Sequence, residues 1–145
     1  MPTVQDILIS KGTQVQTVEP SATATDAIRK MNQHKIGALL VMNGEHVEGI
    51  FTERDVLRRV VGQDRTPTEI GVADVMTKDV ICVEPEMDLD DVATIMKEKK
   101  IRHLPVCDGD GKLHGMISIG DLNAYHASNQ EATIHFLHEY IYGRA

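Results

Sequence analysis

Thr52 and Asp55 stand three residues apart in the stretch GIFTERDVL (49–57), and Ser118 and Asp121 repeat that spacing in GMISIGDLN (115–123). A hydroxyl followed three residues later by an acid can close a capping box, which needs nothing but a helix start. The same helix start presents unpaired N–H groups and a positive dipole end, which suit a phosphate. A carboxylate placed there can also accept hydrogen bonds from both hydroxyls of a ribose. Gly49 and Gly115, just ahead, would allow close backbone approach. The two readings are compatible. If Asp55 is mainly a first-turn acid, its removal costs about 1 kcal/mol or less.

Other residue types offer less chemistry. No nucleophile–base–acid arrangement, P-loop or GxGxxG stretch is legible, so no enzyme is expected. Seven histidines invite a metal, but His135 and His138 find no specified third ligand, and no metal site is expected. Cys82 and Cys107 lie in apolar stretches without a CxxC pattern and read as reduced core thiols. That usage, with no secretory signal in MPTVQDILIS and no apolar run near the ~20 residues of a membrane span, predicts a cytoplasmic chain. The net charge of −7 argues against nucleic acid or an anionic membrane as partner, although a small anion feels only local charge.

The elements that would position the phrase are themselves doubled. Val18–Pro20 recurs as Val83–Pro85, Met31 as Met96, Ile36 as Ile101 and Val41 as Val106, each 65 residues on (83 − 18). Asp55 and Asp121 differ by 66 (121 − 55), because DGDGK replaces NGEH in a turn. Ala24, Ala27, Ile28 and Met31 form one helical stripe, and Leu89, Val92, Ala93 and Met96 another. Thr23 with Asp26, and Asp88 with Asp91, are candidate caps. Strands are predicted over 36–42 and 46–52, and over 101–107 and 113–118; a second helix then starts near Thr52 or Ser118. Pro105 lacks a donor and should face an edge or an irregularity. Lead-in segments VQDIL (4–8) and VADVM (72–76) echo each other. The chain of 145 residues thus divides into repeats at 1–66 and 67–128 and a helical tail at 129–145. Each repeat, of β-α-β-β-α type, buries a marginal core alone, so the two should pack about a pseudo-twofold axis in an α/β (α+β) fold. The apolar tail either caps its own module or forms a dimer or partner surface.

These residues, VEP…TDAIRKM…KIGALLV…GIFTERDVL and VEPEMDLDDVATIMKEKKIRHLPV…GMISIGDLN, resemble a tandem pair of cystathionine-β-synthase (CBS) domains over roughly 3–125. The resemblance implies a stand-alone regulatory module that binds adenosine nucleotides between the repeats. AMP or ATP are the leading ligands; NAD and S-adenosylmethionine are further candidates. By the same resemblance Thr52, Arg54 and Asp55 line one site, and Ser118 and Asp121 the other. The strand starts Ile36, Gly37 and Ala38, and Ile101, Arg102 and His103, border the cleft. Residues around Thr17 and Cys82 help to enclose adenine. Arg54 has the alternative of a solvated helix residue, and His103 that of a core histidine. The sites should be unequal, because Gly120 replaces Arg54 and Arg102-His103 replaces Gly37-Ala38. The Thr52/Asp55 site is expected to be the tighter. A homodimer and an unidentified protein target are implied as partners. An interaction scaffold with decayed ligand sites is the alternative function.

Overall fold

The stripe residues build the expected helices. In the structure, a computed structural model describing residues 1–128, the order is α1 (Val4–Lys11), β1 (Thr17–Val18), α2 (Ala24–His34), β2 (Ala38–Asn43), β3 (His46–Thr52) and α3 (Glu53–Asp55). There follow α4 (Val72–Val75), α5 (Leu89–Lys99), β4 (His103–Cys107), β5 (Leu113–Ser118) and α6 (Ile119–Ser128). The helix expected over 129–145, with His135 and His138, lies outside the described residues. Among those described, no helix is long and apolar enough to cross a membrane.

Thr23 closes a capping box at the start of α2: its hydroxyl accepts from the Asp26 N–H at 3.0 Å, and its N–H donates to the Asp26 carboxylate at 3.1 Å. Asp88 stands at the equivalent cap of α5 but makes no side-chain cap bond. The Leu89 N–H donates instead to the Pro2 carbonyl at 3.1 Å. Both helices end on a left-handed lysine, Lys35 and Lys100 (φ 54° and 56°). Each turn is closed by the next residue, the Ile36 N–H to Met31 O and the Ile101 N–H to Met96 O. These matched ends deliver Gly37 and Arg102 to equivalent places.

Strands β1, β2 and β3 form one sheet in that order, with β1 parallel and β3 antiparallel to β2. Strands β4 and β5 form an antiparallel pair. The first strand of the second repeat shrinks to one bridge, Val83 to Val106. Pro105 explains the loss. In the first repeat the Leu40 N–H donates to Gln16 O at 3.2 Å, and the residue 65 places on (105 − 40) is proline, with no N–H to give. The donor-free edge expected at Pro105 is therefore where the parallel pairing stops.

The lead-in segments are exchanged between the repeats. Val4, Ile7 and Leu8 of α1 sit in the core of the second repeat, with Val83, Leu89, Val92, Met96, Leu104 and Ile117. Val72, Val75 and Met76 complete the core of the first, with Ala27, Met31, Leu39, Val41 and Phe51. Backbone bonds fix both crossings: the Val4 N–H donates to Met87 O at 3.0 Å and the Val72 N–H to Ala22 O at 2.8 Å. A third cluster joins the sheets, with Ala38, Leu40 and Ile50 of one packed by Leu113 and Met116 of the other. Neither unit can close its core without the other.

The glycines that open the doubled phrase serve this exchange. Gly49 leaves room for Met76, and Gly115 leaves room for Leu8, the matching positions of the two lead-ins. A methyl group on Gly49 would lie 2.6 Å from Met76 Sδ and 2.7 Å from the Thr77 carbonyl oxygen. The sulfur can swing away but the backbone carbonyl cannot. Gly49→Ala should therefore cost about 1–3 kcal/mol and lower Tm by several degrees. Gly109→Ala, with nothing within 4 Å of its added methyl, should change Tm little. Equal melting of the two variants would contradict the close crossing.

Candidate functional site

Strand β3 runs into α3 at Thr52, and the expected capping box forms there. The Thr52 N–H donates to Asp55 Oδ2 at 3.0 Å, the Thr52 hydroxyl to the same oxygen at 3.2 Å, and the Asp55 N–H to Thr52 Oγ1 at 3.3 Å. Asp55 is only 4% exposed. Its other oxygen accepts from the Thr77 hydroxyl at 3.1 Å and faces Arg59 Nε at 3.7 Å. This is more than a first-turn acid does. Removing the carboxylate strands the partly buried Thr52 N–H and Thr77 hydroxyl, a loss on the order of 2–3 kcal/mol, above the figure expected from the helix start alone.

The helix start offers a phosphate little. The Glu53 N–H donates to Gly37 O at 3.1 Å and the Asp55 N–H is held by Thr52. Anion binding must come from side chains. Beside Asp55 lies a cavity of about 520 Å³, within the range of about 300–1,000 Å³ usual for small-molecule sites. Gly37, Thr52, Arg54 and Asp55 line it from the first repeat, and Ile101, Arg102 and His103 from the second. It lies where the starts of β2 and β4 converge. Ile36 and Ala38 do not line it: Ile36 packs on the first core and Ala38 is buried between the sheets.

Two further expectations move. Thr17 lies along a separate open groove with Lys30 and Asp26, away from this cavity. Cys82 is exposed rather than a core thiol, and its sulfur meets that of the buried Cys107 at 3.2 Å. Neither residue encloses the cleft. Arg54 lines the cavity, yet its Nη1 donates to the Lys100 carbonyl at 2.7 Å and so ties α3 to the end of α5.

Ile50, Glu53, Leu57, Arg58 and Thr77 line the cavity without having been singled out from sequence. Four of them lie in or beside the doubled phrase and could have been found from it. Thr77 could not, because nothing local in the sequence announces that the chain crosses β3 there. The Arg58 and Arg102 side chains have no bonded partner among the described residues. They place two cationic forks at a cavity in a chain of net charge −7. Burial pushes the His103 imidazole below its ordinary range, opposed by Asp121 and Glu53 and helped by Lys11 and Arg102. His103 is thus a neutral ring at the cavity wall, between the two phrases.

The second phrase repeats the geometry but has a lysine in direct contact with its acid. Ser118 and Asp121 close the same box at 2.9 and 3.0 Å, and the Ile119 N–H donates to Arg102 O as the Glu53 N–H does to Gly37 O. Here Lys11 Nζ sits 2.7 Å from Asp121 Oδ2 and donates to Met116 O at 2.8 Å. Helix α1 runs on to Lys11, whereas α4 stops before Met76, so an ammonium reaches Asp121 where a threonine hydroxyl reaches Asp55. Ser118 and Asp121 do not line the cavity.

Comparison with known proteins agrees with this doubled architecture. The family model for the CBS domain matches twice, over residues 4–62 and 72–127. An uncharacterized protein of Methanopyrus kandleri is 38% identical over 109 residues, covering 74% of this chain and 56% of that protein, so the chain spans just over half of that relative's length. A putative signal-transduction protein with CBS domains from Burkholderia ambifaria MC40-6 is 44% identical, with a TM-score of 0.85 over 89% of this chain and 96% of that one. The CBS domain pair of protein MJ0100, solved in complex with 5′-methylthioadenosine and S-adenosyl-L-methionine, shares the fold at 22% identity. Its TM-score is 0.78 over 88% of this chain and 98% of that one. With its two matched repeats, the chain belongs to the CBS-domain family, as a tandem pair.

Proposed function

We propose that the chain is a sensor of adenosine nucleotides, AMP or ATP, which bind in the cleft between the repeats. CBS-domain pairs are regulatory ligand-binding modules rather than catalysts, and the finer reading rests on the make-up of one cavity. The observation that carries it is the meeting there of three kinds of surface. Ile50, Leu57 and Ile101 offer apolar walls for a planar base. Asp55, held by Thr52 and Thr77, offers its carboxylate to ribose hydroxyls that displace the Thr77 hydroxyl. Arg58 and Arg102 offer forked donors to a phosphate. The complex of MJ0100 with two adenosine-bearing ligands supports the class. S-adenosylmethionine and NAD carry the same adenosine; the arginines favour a ligand that ends in phosphate.

The sites are read as unequal, as expected, with the Thr52/Asp55 side the working one. The Lys11–Asp121 ion pair neutralises the second acid and takes one of its oxygens, and Ser118 and Asp121 stand outside the cavity lining. Ser118 and Asp121 in this state fit the alternative, a decayed site in an interaction scaffold. Signal output passes to a protein target or through a dimer rearrangement, and it requires different nucleotide affinity in the two states. A homodimer is supported by Val61, an apolar side chain 62% exposed on the turns that follow α3 and outside the cavity lining.

Two outcomes test this function. AMP at about a hundredfold excess over Kd should raise Tm by about 5 °C or more. Arg102→Ala should cut the AMP shift by more than half and leave the smaller adenosine shift as in the natural chain. Equal AMP shifts in both proteins would contradict the phosphate assignment, and no shift with any adenosine ligand would favour the scaffold. Light scattering should give near twice the 16.1 kDa chain mass. Val61→Asp should return it to one chain mass, and a natural chain that is monomeric with and without AMP would contradict the dimer.

A further inference from the structure

Two sulfurs lie outside the nucleotide cleft and are used by nothing described above. Cys107 ends β4, and Cys82 precedes Val83, the residue that bridges to Val106. Backbone bonds on both sides clamp that bridge: the Val83 N–H donates to Pro105 O and the Cys107 N–H to Val83 O, each at 2.9 Å. The two cysteines flank the clamped pair on opposite sides, with the Cys107 S–H directed at Cys82 Sγ 3.2 Å away. A disulfide needs about 2.05 Å, so the sulfurs, 3.2 Å apart, must close by roughly 1 Å. The thiols also differ in access, Cys82 being exposed and Cys107 buried. No third metal-ligating side chain joins them, since no group of three His, Cys, Asp or Glu could hold a metal among the described residues.

We propose that Cys82 and Cys107 form a dithiol modification site, which a small-molecule disulfide such as glutathione disulfide converts to an intramolecular cross-link. Cys82 attacks first, because it faces solvent. Its thiolate sulfur bonds to one glutathione sulfur, the S–S bond of the reagent breaks, and one glutathione leaves and takes up the proton Cys82 released. Cys107 then gives up its proton and its sulfur attacks Cys82 Sγ. The mixed disulfide breaks, and the second glutathione leaves as a thiol. The two protein thiols have lost two electrons, and the reagent has gained them. Burial, the bond to Cys82 and nearby charge push the Cys107 thiol up to about 12, so Cys107 stays protonated while Cys82 reacts, and its later attack depends on the 3.2 Å contact between the sulfurs. The cross-link joins residues 25 apart in sequence (107 − 82) at one end of β4, while His103 at the other end lines the cavity.

The full chain, reduced and then equilibrated with glutathione disulfide, is read by intact mass and by alkylation of free thiols. The natural chain should lose two hydrogens, resist alkylation, remain a single covalent chain and melt several degrees higher. Cys107→Ser should instead retain one glutathione on Cys82. Cys82→Ser should react at Cys107 at least roughly tenfold more slowly than the natural chain. Two thiols still open to alkylation, a natural chain that stops at the glutathione adduct, or cross-links only between chains would each overturn the proposal.

Discussion

One backbone crossing organises the molecule. Where the chain leaves the first repeat it passes over β3, and Ile50 and Thr77 exchange two hydrogen bonds, at 2.9 and 2.8 Å. That crossing hands Val72, Val75 and Met76 to the first core, and it is why Gly49 can carry no side chain. It also sets the Thr77 hydroxyl on the Asp55 carboxylate, so one wall of the cavity is made by the segment that joins the repeats. The cleft is therefore a product of how the repeats are laced together.

The inequality of the two phrases follows from helix length. Helix α1 is twice as long as α4, at 8 residues against 4, and the extra turn carries Lys11 to Asp121. The first phrase receives a neutral hydroxyl at the same place and keeps an open cavity beside it. Each acid has a cation near it, Arg59 at 3.7 Å from Asp55 and Lys11 at 2.7 Å from Asp121, but only the first phrase also has Arg58 and Arg102 at a cavity beside it. His103, held neutral by burial, lies between them.

Much of this was legible in the residues. The doubled stripes, Asn-Gly and Asp-Gly turns and Thr-x-x-Asp boxes depend on local spacing, and they formed where spacing put them. Pro105 could be read as a break because its missing donor is a local property. The family resemblance brought Gly37, Arg102 and His103 to the cleft. What could not be read is long-range. VQDIL and VADVM look alike, but nothing in either says that each packs in the other repeat. Arg54 reads as a phosphate ligand until the Lys100 carbonyl takes it, and Thr17 and Cys82 read as cleft residues until the register turns them elsewhere. Lys11 carries no signal at all, since its partner is 110 residues away.

The central claim is that the nucleotide sits between the repeats at one open cleft. Amide-resolved NMR of the isotopically labelled chain during titration with AMP tests it most directly. The account predicts saturable shifts at Gly37, Thr77 and Ile101–His103, with Ser118 and Asp121 little changed and one nucleotide bound per chain. Shifts centred on Ser118–Asp121 or on the Thr17 groove, or an unperturbed spectrum at saturating AMP, would contradict it.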